Sequence, residues 1–329
     1  MKGETMMETE LASATDEARV AAAVREATGE LLSDSQIAIT RMTSNTNRVY
    51  LAEAGGHGLV VRLSGKGTDE FLARDAELHN ARVAAEAGVS AEVVLADIDR
   101  GLMVTRRIPE VVTMTPALFR SRPGAPARAA RVLRRMHDWP APFQGRFDLW
   151  ENLDRYGEIV RREGWGVPEG YDRLIAGARA AQAALDVQGT LDRPCHCDPV
   201  PENFLDDGTR MWLVDWEYAG TNDPFWDLGQ VSMEGDFDPE QDREMLTAWL
   251  GHEPGAQHVG RLHVYKAFCN TLWTLWGLIQ AINRNPVMDF DAWARERCAQ
   301  AMSEMDAPDW PTHLEMIADR PHGLGARVQ

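Results

Sequence analysis

The chain has 329 residues, of which 44% are hydrophobic and 26% charged. At roughly 150 residues per domain, this length fits about two domains or one two-lobed unit with a sizeable core. The 51 acidic against 34 basic side chains leave a net charge of −17, which argues against a nucleic-acid partner because no basic excess neutralises phosphates. The same charge suits a small cationic ligand, or serves solubility.

Residues 1–15 are polar and read as a loose end. The stretch MKGETMMETELASATDE carries acids where a secretory leader would be apolar. TDEARVAAAVREATG has the period of an amphipathic helix, with Thr15 or Asp16 as cap and Gly29 as stop. Strand-like runs follow in IAITRM, NRVYLAEA and HGLVVRL, the last two split by Gly55 and Gly56. TDEFLARDAELHNARVAAEAG then reads as a long helix ending at Gly88, and VSAEVVLADIDRGLMVTRRI as two strands turning near Asp99 to Gly101. Residues 1–108 are therefore expected to form a small β-rich lobe, a sheet with a helix across it.

From Pro109 the texture changes, and residues 109–329 are expected to form a larger, mainly helical lobe. PARAARVLRRMHDW, ENLDRYGEIVRREG, YDRLIAGARAAQAALD and FDAWARERCAQAMSEM are helical in period. DPEQDREMLTAWLG adds Asp238 as cap, Pro239 in the first turn and Gly251 as stop. RLHVYKAFCNTLWTLWGLIQAINR is long and strongly apolar, yet no run reaches the roughly 18 residues of a membrane span. Short strands are expected around Phe204 and Leu205 and in MWLVDW, and the end RPHGLGARVQ reads as loose. All 11 tryptophans fall between Trp139 and Trp310, which supports two lobes of different character. The fold class expected is α+β.

Four cysteines in a chain of this length, with no leader read at its start, are expected as reduced thiols in a cytoplasmic protein. Two of them, Cys195 and Cys197, flank His196 in CHCDPVPENF. Three readings of that loop compete. A zinc site would need a matching distant ligand pair, and no second C-x-x-C or H-x₃₋₅-H cluster follows. A rigid turn needs only Pro199 and Pro201 with Asp198 and Asn203 on either side of them. A phosphoryl-transfer loop is the third, because His196, Asp198 and Asn203 spell H-x-D-x-x-x-x-N, and Asp215 follows in LVDWEYAG at the end of an apolar run. That chemistry needs one carboxylate to steer the attacking hydroxyl, with a carboxamide and a second carboxylate holding Mg²⁺ against the triphosphate.

HCDPVPENF and VDWEYAGTNDPFWDLG resemble the choline kinase and aminoglycoside phosphotransferase superfamily, bacterial choline kinases most nearly, over about residues 37–300. The resemblance implies a protein-kinase-like fold and transfer of the γ-phosphate of ATP to a small alcohol. It implies Asp198 as catalytic base, Asn203 and Asp215 as Mg²⁺ ligands, His196 as orienter of the loop and Asp227 as its support; by itself, Asp227 reads equally as a helix cap. In the first lobe it implies that Ser44, Asn45, Thr46 and Asn47 form a turn whose amides cover the phosphates, although no G-x-G-x-x-G is present. Arg62 in VVRL would grip phosphate oxygens, with Glu77 as its ion-pair partner; by itself Glu77 reads equally as a residue of a solvated face, and Lys66, close by in GKGT, has no assigned role.

The acceptor follows from the aromatics. A quaternary ammonium has no N–H to donate and is held by ring faces plus a carboxylate. Trp273 and Trp276 lie three apart on one helical face, a spacing that equally suits plain core packing. WTLWGLIQ resembles the choline-site helix of choline kinases, which implies Trp273, Trp276 and Tyr218 as walls around a trimethylammonium and Glu234 as the nearby carboxylate. Glu217 completes the family's D-[WF]-E-Y pattern without an assigned role. The expected reaction makes phosphocholine from choline and ATP with Mg²⁺. Ethanolamine, thiamine, an aminoglycoside, or a non-catalytic kinase-like module are the alternatives. A homodimer is one assembly this leaves open.

Overall fold

The computed structural model describes residues 16–42, 47–64, 73–189 and 191–319. They fall into two compact units divided between Val111 and Val112.

The first unit is built on five antiparallel strands, β1 (Ile37–Met42), β2 (Arg48–Ala54), β3 (His57–Leu63), β4 (Val93–Asp97) and β5 (Leu102–Arg106), in the order β1-β2-β3-β5-β4. Gly55 and Gly56 make the β2–β3 turn with φ of 58° and 81°, a left-handed conformation that glycine adopts without strain. Side chains alternate between the two faces of each strand. Leu59, Val61 and Leu63 are buried with Val20 and Val24 of helix α1, which runs through residues 16–28. The alternate residue Arg62 leaves β3 on the opposite face and meets Glu77 of α2 (Arg74–Glu86). The helix expected over residues 68–88 is thus seen from Arg74, since residues 65–72 lie outside the described set.

The second unit is helical around one central element. Helix α9 (Ala256–Ile282) is buried on nearly all sides, as expected for a helix apolar all round. It packs against α5 (Leu149–Arg162), α6 (Tyr171–Gln188), α7 (Pro224–Glu234), α10 (Phe290–Met305) and α11 (Trp310–Asp319). A Cβ at Gly229 would come within 2.8 Å of the Tyr265 backbone, so only glycine allows α7 to cross α9 this closely. Helices α3 (Pro116–Ser121), α4 (Ala125–His137) and α8 (Pro239–Leu250) complete the helical set described here. Two small sheets carry the loops: β6 (Val112–Thr113) pairs with β8 (Phe204–Asp206), which pairs with β9 (Met211–Leu213), and β7 (Arg193–Cys195) pairs with β10 (Gly220–Asn222). Buried Asp206 anchors this region by accepting from Arg122 and Arg128 at 2.7 and 2.8 Å. No described helix is long and apolar enough to cross a membrane.

Candidate active site

β7 delivers the loop His196–Val200, a 3₁₀ turn spans Pro201–Asn203, and β8 and β9 return the chain to Asp215. Local hydrogen bonds fix this path. Val200 N donates to Asp198 O at 2.9 Å, and Val214 N donates to Asn203 O at 3.0 Å. The Asn203 side-chain Nδ2 donates to Asp198 O at 2.9 Å, so its NH₂ end is committed to the loop backbone. His196 is fully buried and its Nε2 bonds Val214 O at 2.9 Å, so one imidazole joins the start of the loop to the residue before Asp215. Burial holds the His196 ring below its ordinary pKa, which keeps it neutral.

The backbone is strained at two points beside the carboxylates. Cys197 and Asp215 have φ of 65° and 69°, a region that residues with a Cβ seldom enter. Such strain persists where the surroundings over-determine it, and it clusters at functional sites. At Cys197 the surroundings are Asp227 on α7, which accepts from the His196 and Cys197 amides at 2.8 Å each, and Trp226, whose Nε1 donates to Cys197 O at 3.0 Å.

Asp198 is half-buried. Burial first, then the charges of Asp215 and Glu217, pushes its carboxyl well above the usual carboxylate range, while a hydrogen bond from Gln230 opposes the shift. Asp198, Asp215 and Glu217 lie close enough for their charges to interact, and carboxylate and carboxamide oxygens are the donors that a hard divalent cation such as Mg²⁺ takes. The thiols are not among these donors. Cys195 Sγ donates to Asn222 O at 3.4 Å and Cys197 Sγ to Cys195 O at 3.7 Å. The zinc reading fails on the same contacts, since His196 points to Val214 instead of toward the sulfurs. A separate trio, His137, Cys195 and Asp227, is also closed to metal. Trp249 Nε1 donates to His137 Nδ1 at 3.0 Å, which leaves His137 Nε2–H to donate to Asp227 at 2.9 Å.

Tyr218 lies three residues after Asp215, and its ring meets Trp273 edge to face at 5.8 Å between centroids. Trp276 meets Trp273 at 5.8 Å, and its Nε1 donates to the Tyr218 hydroxyl at 3.2 Å. Tyr218 and Trp276 are half-buried, whereas Trp273 is only 4% exposed. Phe147, Phe290 and Trp293 extend the cluster. Glu234 is placed at the end of α7, where Arg297 Nη2 pairs with it at 2.8 Å, so its charge is compensated internally.

In the first unit, Arg62 and Glu77 are paired, as the resemblance implied, and Arg74 joins Glu77 at 2.9 Å. Asn47 is buried, and Ser44, Asn45, Thr46 and Lys66 lie outside the described residues. Sequence reasoning missed Gln230, Phe147, Trp293 and Arg297. Gln230 had a legible signal: it stands three residues after Asp227 in PFWDLGQ, which Asp223 and Pro224 open as a helix.

Residues 39–262 match the model of the phosphotransferase enzyme family. The chain therefore belongs to the phosphotransferase enzyme family, as an ATP-dependent alcohol phosphotransferase with a protein-kinase-like fold. The protein LicA of Haemophilus influenzae is 25% identical over 240 residues, 70% of this chain and 70% of that protein. Among solved structures, a choline/ethanolamine kinase family protein from Mesorhizobium loti is 43% identical with a TM-score of 0.79, over 85% of this chain and 92% of that one. Choline kinase LicA from Streptococcus pneumoniae is 24% identical with a TM-score of 0.71, over 88% and 98% respectively.

Proposed function

We propose that the protein is a choline kinase, transferring the γ-phosphate of ATP to the choline hydroxyl to give phosphocholine and ADP. One observation carries the acceptor: the Tyr218–Trp273–Trp276 ring cluster begins three residues beyond the Asp215 carboxylate. Ring faces attract a quaternary ammonium without needing an N–H, each giving about 0.5–2 kcal/mol. The repelling charges of Asp198, Asp215 and Glu217 add a negative field at the same loop. Glu234 adds less, because Arg297 already neutralises it. The solved relatives include a choline kinase and a choline/ethanolamine kinase family protein, which supports this acceptor class.

In the reaction, Asp198 receives the hydroxyl hydrogen bond and aims the oxygen at the γ-phosphorus. The O–P bond forms as the bond to the β-phosphate oxygen breaks, ADP leaves, and the proton passes to Asp198 and then to solvent. Asn203 and Asp215 would hold Mg²⁺, which when bound neutralises the phosphate oxygens. Arg62, oriented by Glu77, would bind the phosphates through its guanidinium fork. The four buried free thiols support a cytoplasmic setting for the reaction, where thiols stay reduced.

ADP release measured across a panel of alcohols tests this. Choline is expected to be preferred over ethanolamine by about tenfold or more in kcat/KM, a difference of about 1.4 kcal/mol. Ethanolamine, thiamine or an aminoglycoside as the best acceptor would overturn the choline assignment.

A further inference from the structure

Helix α7 contacts three consecutive residues of the catalytic loop. Asp227 binds the His196 and Cys197 amides at 2.8 Å, and Gln230 Nε2 donates to Asp198 Oδ1 at 2.7 Å. Asp227 and Gln230 are three apart, so they share one face of the helix. Gln230 has no solvent exposure, and its Oε1 meets no hydrogen-bond partner among the described residues. Asp198 Oδ1 accepts here, so the NH₂ end of the amide is engaged and its oxygen is left unmet. A buried amide satisfied at one end only is rare in native interiors, where nearly every polar group finds a partner. Packing alone would be served as well by methionine or leucine.

We infer that Gln230 is a positioning residue: its amide ties Asp198 Oδ1, fixes the carboxylate in one rotamer and leaves Oδ2 to receive the acceptor hydroxyl. Backbone and side chain of the loop are then set by a single helix face, Asp227 holding the amides before Asp198 and Gln230 holding its carboxylate. The Gln230 N–H stays donated throughout, so no proton travels through it and Oδ2 alone takes the hydroxyl hydrogen. The inference rests on the reading of Asp198 as the group that meets that hydroxyl.

The test is steady-state kinetics of the full chain with ATP, Mg²⁺ and choline, comparing wild type with Gln230→Met and Gln230→Glu. Both variants keep the side-chain length and remove the N–H donor. A misplaced reacting group costs about ten- to hundredfold in kcat, while KM for ATP and choline should stay within about twofold. Melting temperature and nucleotide affinity serve as folding readouts that this role leaves unmoved. If one variant fails to fold, the other decides. Gln230→Met turning over within about twofold of wild type overturns the inference. So does loss of kcat, nucleotide affinity and cooperative melting together in both variants, which would make Gln230 a packing residue. A wild type that phosphorylates no alcohol removes the Asp198 reading and this inference with it; an active wild type with unimpaired variants removes this inference alone.

Discussion

The indole of Trp276 donates to the hydroxyl of Tyr218 at 3.2 Å, and this bond joins helix α9 to the segment that carries Asp215. It fixes the angle between two half-buried rings, with Trp273 closing the corner behind them. Were these rings to hold the choline cation as proposed, their being already fixed by this bond would lower the entropy lost on binding.

Trp276→Phe should therefore raise KM for choline by about three- to thirtyfold, since it removes both the larger ring and the bond to Tyr218. KM for ATP should not move. Trp273→Ala is expected to act in the same direction but with a loss of melting temperature, because Trp273 is nearly buried. Unchanged choline KM in both variants would return these tryptophans to the core.

Asp198→Asn should reduce kcat by about 10²- to 10⁴-fold with nucleotide binding kept. Isothermal titration with a non-hydrolysable ATP analogue separates the two quantities. Loss of both together would assign Asp198 to folding.

Asp215→Asn tests the metal role under favourable backbone conditions, since asparagine tolerates the positive φ of 69° found there. The variant should fold, require a higher Mg²⁺ concentration for half-maximal rate, and lose its activity fully on chelation. Asp215→Ala should also lose stability, because alanine resists that conformation. A Mg²⁺ dependence equal to wild type in Asp215→Asn would move the metal elsewhere.

The loop prediction was legible because its signal is linear: His196, Asp198 and Asn203 are fixed by sequence spacing, and short strands β8 and β9 hold the loop together by local bonds. The sheet of the first unit was legible for the same reason, its strands being marked by alternation and by the glycine pair at 55 and 56. Helix α7 was not read as a helix, since PFWDLGQVSME is buried on nearly every side and shows no polar stripe to reveal the period. The pairing of Glu234 with Arg297 was hidden too, because the partner lies on α10 and no sequence interval marks it. Short α3, α11 and the two- and three-residue strands β6, β7 and β10 exist through tertiary contacts that local propensity does not show.

His263 and His313 stack at 4.8 Å where α9 meets α11, with Glu304 on His263 at 2.8 Å and Asp309 on His313 at 3.3 Å. Burial first, then the neighbouring His263, lowers the His313 pKa below its ordinary value. The unfolded chain thus takes up this proton at higher pH than the folded chain does. Stability from this residue is complete above about pH 6.5 and declines as the pH falls through the interval below it. Thermal melts from pH 7.5 to 5.5 should fall less steeply for His313→Gln than for wild type. Parallel curves would show that His313 titrates alike in both states.

All four thiols are buried, and burial raises the pKa of each. A maleimide or disulfide reagent added to the intact protein should meet almost no thiolate, and each sulfur should become accessible only when its surroundings open. Cys195 and Cys197 bracket His196, whereas Cys269 and Cys298 lie in α9 and α10. The order in which the four are labelled would time, residue by residue, whether the loop around His196 or the helical core lets go first.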